Sequence, residues 1–253
     1  MPDEVVIVDG GSDDGTFELL KDYFNNENNS SVILDLSCNS KITDGPIARG
    51  RNIAIKNSSN ECIVGTDAGC EMHENFIENM KIGFVDGGDF LCGSYDLKNP
   101  NPYQLKLQSS FIPSFNKKDF PQNFLPSSRS IGFHKTLWEK VGGYPEATFA
   151  GEDTWFAARL SEICNKPILV KDALVYWDSP RDRNELANKC LAYGFGDGFL
   201  LQNVRLHLVR FLIMIFPPLF LTLMVAKKRS FESWFIYYFT FFGFVKGVIK
   251  RLL

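Results

Sequence analysis

The chain has 253 residues, a formal charge of −3 and a pI of about 5.7. That length suits one sizeable α/β domain plus an appendage. With no global basic field, a nucleic-acid-binding protein is excluded. The mean hydropathy of −0.10 averages a polar front with an aromatic-rich C-terminus, to which many of the 23 Phe belong. Six cysteines show no Cys-x-x-Cys and no tight spacing, so free thiols are expected rather than a disulfide framework. Met1-Pro2-Asp3-Glu4 leads directly into a strand, which is not the pattern of a signal peptide.

Residues 4–9 predict a buried parallel strand that stops at Asp9, followed by the tight turn Gly10-Gly11-Ser12-Asp13-Asp14-Gly15. Residues 16–24 predict an amphipathic helix with Phe17, Leu20 and Phe24 on one face. A polar loop at 25–31 precedes a strand at 32–36 and a helix at 45–56, with Ile47, Ile53 and Ala54 turned inward. Residues 61–66 form the next strand and end at Asp67; a helix at 75–84 and a strand at 90–95 follow. Residues 99–128 are rich in Pro, Asn, Gln and Lys and read as a long lid or acceptor-binding loop. A strand at 130–134, helices at 135–141 and 154–163, and a strand at 168–176 complete the pattern. This alternation argues for a doubly wound α/β sheet, mostly parallel and mixed toward its end.

Beyond Asp178 the composition changes. Residues 181–189 predict a charged helix, and 193–198 a glycine-aromatic joint. Residues 211–226 and 231–245 are apolar, separated by Lys227-Lys228-Arg229. Each falls short of the ~20 residues of a straight bilayer span. They are expected to be two short transmembrane or re-entrant segments, with an interfacial hairpin or a buried helical pair as alternatives, held at the cytoplasmic face of a membrane, a bacterial inner membrane. The organisation expected is a catalytic domain at 1–180, an amphipathic connector at 181–208 and the hydrophobic tail at 209–253.

Two strands that each stop at an aspartate bring Asp9 and Asp67 to the carboxyl edge of a sheet, where open α/β sheets bind ligands. Asp9 is suited to accept hydrogen bonds from a nucleobase imide or a ribose hydroxyl, and glycines such as Gly11 let the backbone approach a ligand; a solvated turn acid is the structural alternative. Arg51, at the front of a helix, suits a phosphate or base carbonyl, or is a surface arginine. Asp67 is a candidate ligand for Mg²⁺ or Mn²⁺ against a diphosphate, or a turn acid. Glu152 and Asp153 precede a helix, either as caps or as a general base and its partner. His73 and His134 are weaker candidates for a base or metal ligand, better explained structurally.

Taken together, these segments resemble family 2 glycosyltransferases of the GT-A fold over residues 5–178. Val8-Asp9-Gly10-Gly11-Ser12-Asp13-Asp14-Gly15-Thr16 resembles the first acid-glycine segment, and Ala48-Arg49-Gly50-Arg51-Asn52 the Ala-x-x-Arg-Asn segment. Thr66-Asp67-Ala68-Gly69 stands at the Asp-x-Asp metal motif, with Gly69 at the second acid. Gly142-Gly143-Tyr144-Pro145 and Gly151-Glu152-Asp153, with Trp155 and Arg159, resemble the acceptor-side segment. The family pattern opens with a strand carrying Pro-x-Tyr-Asn and a helix, which precede the segment matched by Asp9; this chain is expected to lack both.

The resemblance implies inverting transfer of a sugar from a nucleotide diphosphate sugar to a hydroxyl, on a saccharide, a lipid-linked acceptor or a cell-surface polysaccharide. It implies Asp153 as general base with Glu152 beside it, Asp9, Gly11, Arg51 and Asp67 on the nucleotide sugar, and Mn²⁺ or Mg²⁺ at Asp67. Trp177 belongs to the acceptor wall or to the core. The competing readings are a nucleotidyltransferase on a related fold, whose glycine-rich lysine loop is not visible, and an inactive membrane-anchored paralogue or scaffold.

Overall fold

The computed structural model describes residues 1–26, 32–35, 46–113, 115, 124–216, 218 and 232–253. It divides into an α/β unit, residues 1–95 and 115–175, and a helical unit, residues 96–114 and 176–253.

The α/β unit is a GT-A-like, doubly wound mixed arrangement, and among the described residues its strands form two sheets. β1 (Val5–Val8) pairs in parallel with β2 (Val32–Asp35), with Val5 opposite Val32 and Val8 opposite Asp35. The second sheet has five strands, in the order β3 (Cys62–Gly65), β6 (Ile131–His134), β5 (Phe90–Asp96), β7 (Ile168–Trp177), β4 (Cys70–Met72). β6 runs antiparallel to both of its neighbours, whereas β1 and β2 are parallel, so the unit contains both kinds of pairing. The doubly wound, mixed pattern expected from the alternation is present, divided among the described residues between these two hydrogen-bonded groups. Among the described residues β1 has only β2 for a partner, and its four side chains are half-buried. Glu4 ties the start of β1 to the turn before β3, accepting from the Ser59 amide at 2.7 Å and from Asn60 Nδ2 at 3.2 Å. Both strands set off from this point, so Asp9 and Asp67 follow their far, carboxyl ends.

Helices α1 (Thr16–Asn26), α2 (Pro46–Asn57), α3 (Phe76–Val85), α5 (Lys135–Val141) and α6 (Glu152–Ile163) belong to this unit. Strand alternation sorts the side chains of β6 and β5 between two faces. Ile131, Phe133 and Phe90 join Ala48, Ile55, Leu137, Tyr144, Phe156, Ala157 and Leu160 in one core. On the opposite face, a Cβ on Gly132 would meet Phe84 of α3 at 3.1 Å, and Gly83 of α3 lies against Leu91. The inward face of α2 differs from the one expected: Ala48 and Ile55 are buried, whereas Ile47 is 50% exposed. Ala48, Arg51, Asn52 and Ile55 follow i, i+3, i+4, i+7 spacing and share one face.

In the helical unit, α4 (Pro102–Phe111) occupies part of the segment expected to be a loop. Its start is written locally: Asn101 and Gln104 form a reciprocal capping box, with Pro102 at the first helical position. Residues 114 and 116–123 of that expected loop lie outside the described residues. α7 (Arg183–Leu200) is capped by Asp182, which accepts from the Asn184 and Glu185 amides. It runs straight through residues 193–198, where a joint was expected. Those glycines are contact points rather than breaks. A Cβ on Gly194 would lie 1.9 Å from Thr240 O, and one on Gly198 2.0 Å from Phe244 O. α9 (Glu232–Leu252) answers with Gly243 and Gly247, whose Cβ atoms would strike Leu191 O at 2.2 Å and Phe195 O at 2.1 Å. Tertiary contact here overrides glycine's poor helix propensity.

The C-terminal residues do not form the membrane-directed tail that was expected. They fold as α8 (Val204–Ile215) and as α9, which lies along α7. No helix among the described residues is long and apolar enough to cross a membrane. The reason is visible in the sequence of α9: Glu232 at its start, Lys246, Lys250 and Arg251 near its end, and two glycines spent on α7. In α8, His207 is fully buried, bonded to Asp197 at 2.8 Å and stacked on Phe244. Neither a membrane-spanning tail nor a membrane as partner is supported by these helices. Residues 217 and 219–231, which carry much of the first apolar stretch and the basic break, lie outside the described residues.

Candidate active site

The side chains with chemistry gather around Arg51. Its place on α2, one turn after the core residue Ala48, sets the guanidinium at the edge of the core. Nη2 donates to Asp67 Oδ1 at 2.5 Å and Nη1 to Glu152 Oε1 at 2.7 Å. Its Cζ lies over the Tyr144 ring, 5.4 Å from the ring centre. Burial by itself would lower the Arg51 pKa, but Asp67, Tyr144 and Glu152 outweigh it and hold the guanidinium further above its ordinary range. Arg51 is thus a fork joining the end of β3 to the start of α6.

Glu152 is nearly fully buried. Burial and the neighbouring charge of Asp153 push its carboxyl above the ordinary glutamate range, against the opposing pull of Arg51. Gly151, at φ 79°, supplies the left-handed turn that opens α6. Asp153, next along, faces different partners. Its Oδ2 accepts from Ser127 Oγ at 2.9 Å, and its Oδ1 from the Thr154 amide at 2.7 Å. Both acids lie in the first turn of α6, where the helix dipole favours negative charge.

Asn52 is the residue whose weight sequence reasoning missed. Its Oδ1 accepts from the Tyr144 amide at 2.8 Å and Trp138 Nε1 at 3.0 Å. Its Nδ2 donates to Tyr144 O at 2.9 Å and Glu146 Oε1 at 2.8 Å. This clamp needs Gly143, where a Cβ would stand 2.8 Å from Asn52 Oδ1 on a backbone with φ of 82°. It fixes Tyr144, which stacks on Phe156 at 4.0 Å and shares a hydrogen bond with Ser128 at 2.9 Å. The available signal was spacing: Asn52 lies one turn after Ala48 and one turn before Ile55.

Asp9 and Gly11 are bonded to each other rather than to this network. Asp9 Oδ2 accepts from the Gly11 and Ser12 amides, each at 2.9 Å, and Oδ1 accepts from Ser12 Oγ at 2.6 Å. Burial raises the Asp9 pKa, but the Ser12 hydroxyl and the two amides more than offset it, leaving the carboxyl below its ordinary range. Two oxygens with about four lone-pair sites in total keep room for one further donor. The histidines belong elsewhere: His134 lies 3.5 Å from Asp89 and 3.8 Å from Glu61, and His73 accepts from the Asn75 amide.

A metal site built from protein side chains alone at Asp67 is not supported. Among the described residues no three His, Cys, Asp or Glu side chains gather as a metal site. Gly69 replaces a second acid and faces open space, while Asp67 Oδ1 is engaged by Arg51. One carboxylate with an oxygen already in an ion pair would leave most of a cation's shell to diphosphate oxygens and water.

Residues 1–141 match the model for glycosyl transferase family 2. The chain belongs to that family. Among curated proteins it is 23% identical over 161 residues to glycosyltransferase AglE of Haloferax volcanii, covering 63% of this chain and 51% of that protein. The chain thus spans about half the length of that relative. Its fold resembles mannosyltransferase PcManGT from Pyrobaculum calidifontis, solved with GDP-Man and Mn²⁺, at TM-score 0.60 and 15% identity, over 98% of this chain and 77% of that one. It also resembles S. aureus TarS 1–349 in complex with UDP-GlcNAc, at TM-score 0.56 and 18% identity, over 76% of this chain and 58% of that one.

Proposed function

We propose that this chain transfers a sugar, with inversion, from a nucleotide diphosphate sugar to a saccharide hydroxyl, with Asp153 as general base. The observation that carries the reading is the division of labour between two adjacent acids. Glu152 is buried and spent on Arg51, whereas Asp153 is less buried and held by a serine hydroxyl. A pair set apart in this way suits one structural acid and one that takes a proton. In the reaction, the acceptor O–H proton passes to the Asp153 carboxylate as the oxygen attacks the anomeric carbon. The bond from that carbon to the diphosphate oxygen breaks, and its electron pair leaves with the nucleoside diphosphate.

Asp9, with one acceptor direction left, is assigned to a donor N–H or O–H on the nucleoside, and Asp67 to the donor end held by Arg51. Glu152 acts through Arg51 and is not itself the base. The test supplies purified protein with UDP-, GDP- and dTDP-sugars, alkyl glycoside acceptors, and Mn²⁺ or Mg²⁺ in the buffer. One nucleotide should bind preferentially and weaken in Asp9→Ala. Asp153→Asn should keep donor binding and lose at least about 10²-fold in transfer, the lower end for removing a general base. Parent-rate transfer by Asp153→Asn would sink the assignment. Transfer of a nucleotidyl group instead of a sugar would replace this reading with phosphoryl chemistry.

A further inference from the structure

The turn that precedes β6 has a property that neither the family match nor the acid pair explains. Residues 127–130 form a tight turn closed by the Ser130 amide donating to Ser127 O at 3.1 Å. Ser128 and Ser130 are buried, at 1% exposure each, and bonded to the scaffold: Ser128 to Tyr144 at 2.9 Å, Ser130 to Ala173 O at 3.4 Å. Ser127 and Arg129 are only half-buried and are bonded to each other, Arg129 Nε donating to Ser127 Oγ at 3.1 Å. The Ser127 hydroxyl proton goes on to Asp153 Oδ2 at 2.9 Å. The Arg129 guanidinium lies over the Tyr95 ring, 4.9 Å from its centre.

We infer that Ser127 and Arg129 are positioning residues for the base, a relay in which Tyr95 orients Arg129, Arg129 orients the Ser127 hydroxyl, and Ser127 fixes the Asp153 carboxylate. This rests on the reading of Asp153 as base. The proton count decides the direction of the relay. Arg129 Nε can only donate, so it occupies an acceptor lobe of Ser127 Oγ and turns the single hydroxyl proton toward Asp153. A lone serine would be free to rotate to any nearby carbonyl; this one has its donor direction set. With Thr154 holding Oδ1 and Ser127 holding Oδ2, the carboxylate plane is fixed from both ends. Proton removal needs such a fixed plane, because a base displaced by about 1 Å costs on the order of 10²-fold in rate.

The test measures sugar transfer, with the preferred donor from the UDP-, GDP- and dTDP-sugar panel, in Ser127→Ala, Ser127→Thr, Arg129→Ala and the Ser127→Ala/Arg129→Ala pair. Ser127→Ala should lower kcat by about 10- to 100-fold while donor KM stays within about twofold. Ser127→Thr, which keeps the hydroxyl, should recover most of the rate. Arg129→Ala should lower kcat as well, and the double variant should be no slower than the worse single variant, as two links of one chain require. A parent kcat in Ser127→Ala, or multiplicative losses in the double variant, overturns the inference. So do crystals of Ser127→Ala with the Asp153 carboxylate unmoved, a readout that needs no turnover. Asp153→Asn separates the two readings: if it is inactive while Ser127→Ala is not, the base stands and the relay falls; if it transfers at the parent rate, the base assignment itself has failed.

Discussion

Glu152 in the α/β unit and Glu232 in the helical unit are both nearly fully buried, and each meets cations: Arg51 for the first, Lys106 and Arg183 for the second. Their surroundings differ. The Arg51 side chain is itself only 18% exposed and holds a second carboxylate, Asp67, whereas Lys106 and Arg183 are 49% and 62% exposed. One acid belongs to an internal brace; the other closes a clamp at the surface. The packing around them differs in the same sense. The α/β core is interlocked side chain against side chain, while α7 and α9 touch backbone to backbone at four glycines. A residue's type therefore says little about what its loss will do until its partners are known.

Arg51→Ala is expected to have the largest effect, because it strands a buried carboxylate. A loss of about 3–5 kcal/mol in denaturant unfolding is expected, and a loss below about 1 kcal/mol would mean that Glu152 finds another partner. Gly194→Ala comes next: its Cβ has no space beside Thr240 O, so α7 and α9 must separate. The expected cost is about 1–3 kcal/mol, read as a lower unfolding midpoint. The same change at Gly50, in α2, meets nothing within 4 Å. There it should stabilise by about 0.5–1 kcal/mol through the usual preference of helices for alanine. Equal signs at the two glycines would break the contrast between the units. Lys106→Ala leaves Arg183 on the buried Glu232, so the acid keeps a cation and the cost should be well below that of Arg51→Ala, about 1 kcal/mol.

The smallest effect concerns acid. The Asp9 carboxyl has a lowered pKa in the folded protein, so its contribution is complete above the unfolded value of about 3.9 and is lost as pH falls through the folded one. Glu152 has the opposite sign: its raised pKa makes the ionised form unfavourable, and acidification through that pKa relieves the cost. Asp9→Asn should therefore be less stable than the parent near neutrality, with the difference shrinking below pH ~4. A difference independent of pH would show that Asp9 acts by shape alone.

The elements that sequence patterning located are those whose signal is local. β1 and β3 announce themselves as short apolar runs ending at Asp9 and Asp67, and α1 presents Phe17, Leu20 and Phe24 together, all half-buried. Where patterning failed, a distant partner decided the outcome. The glycines of α7 look like breaks until α9 lies against them, and the apolar residues of α9 look membrane-directed until that helix is seen lying on α7. The face of α2 was misjudged because one of its three isoleucines, Ile47, points outward while small Ala48 goes in. In the site, the motifs single out residues 51, 152 and 153 as candidates, and the structure joins Arg51 to Glu152. The bonds of Asn52 to Tyr144 and of Ser127 to Asp153 could not be read from motifs, since they join residues 92 and 26 positions apart.

The two prongs of Arg51 reach very different distances along the chain, 16 residues to Asp67 and 101 to Glu152. During synthesis from the N-terminus, the shorter loop closes first, since α2 and β3 leave the ribosome long before α6 exists. For that interval the arginine is half engaged, and its second pair of N–H donors waits in water. The arrival of Glu152 then does two things at once: it completes the fork and carries Asp153 to the turn at Ser127. A late long-range contact of the unit is thus also the one that assembles the site, so a nascent chain acquires its proposed chemistry only when α6 has docked on α2.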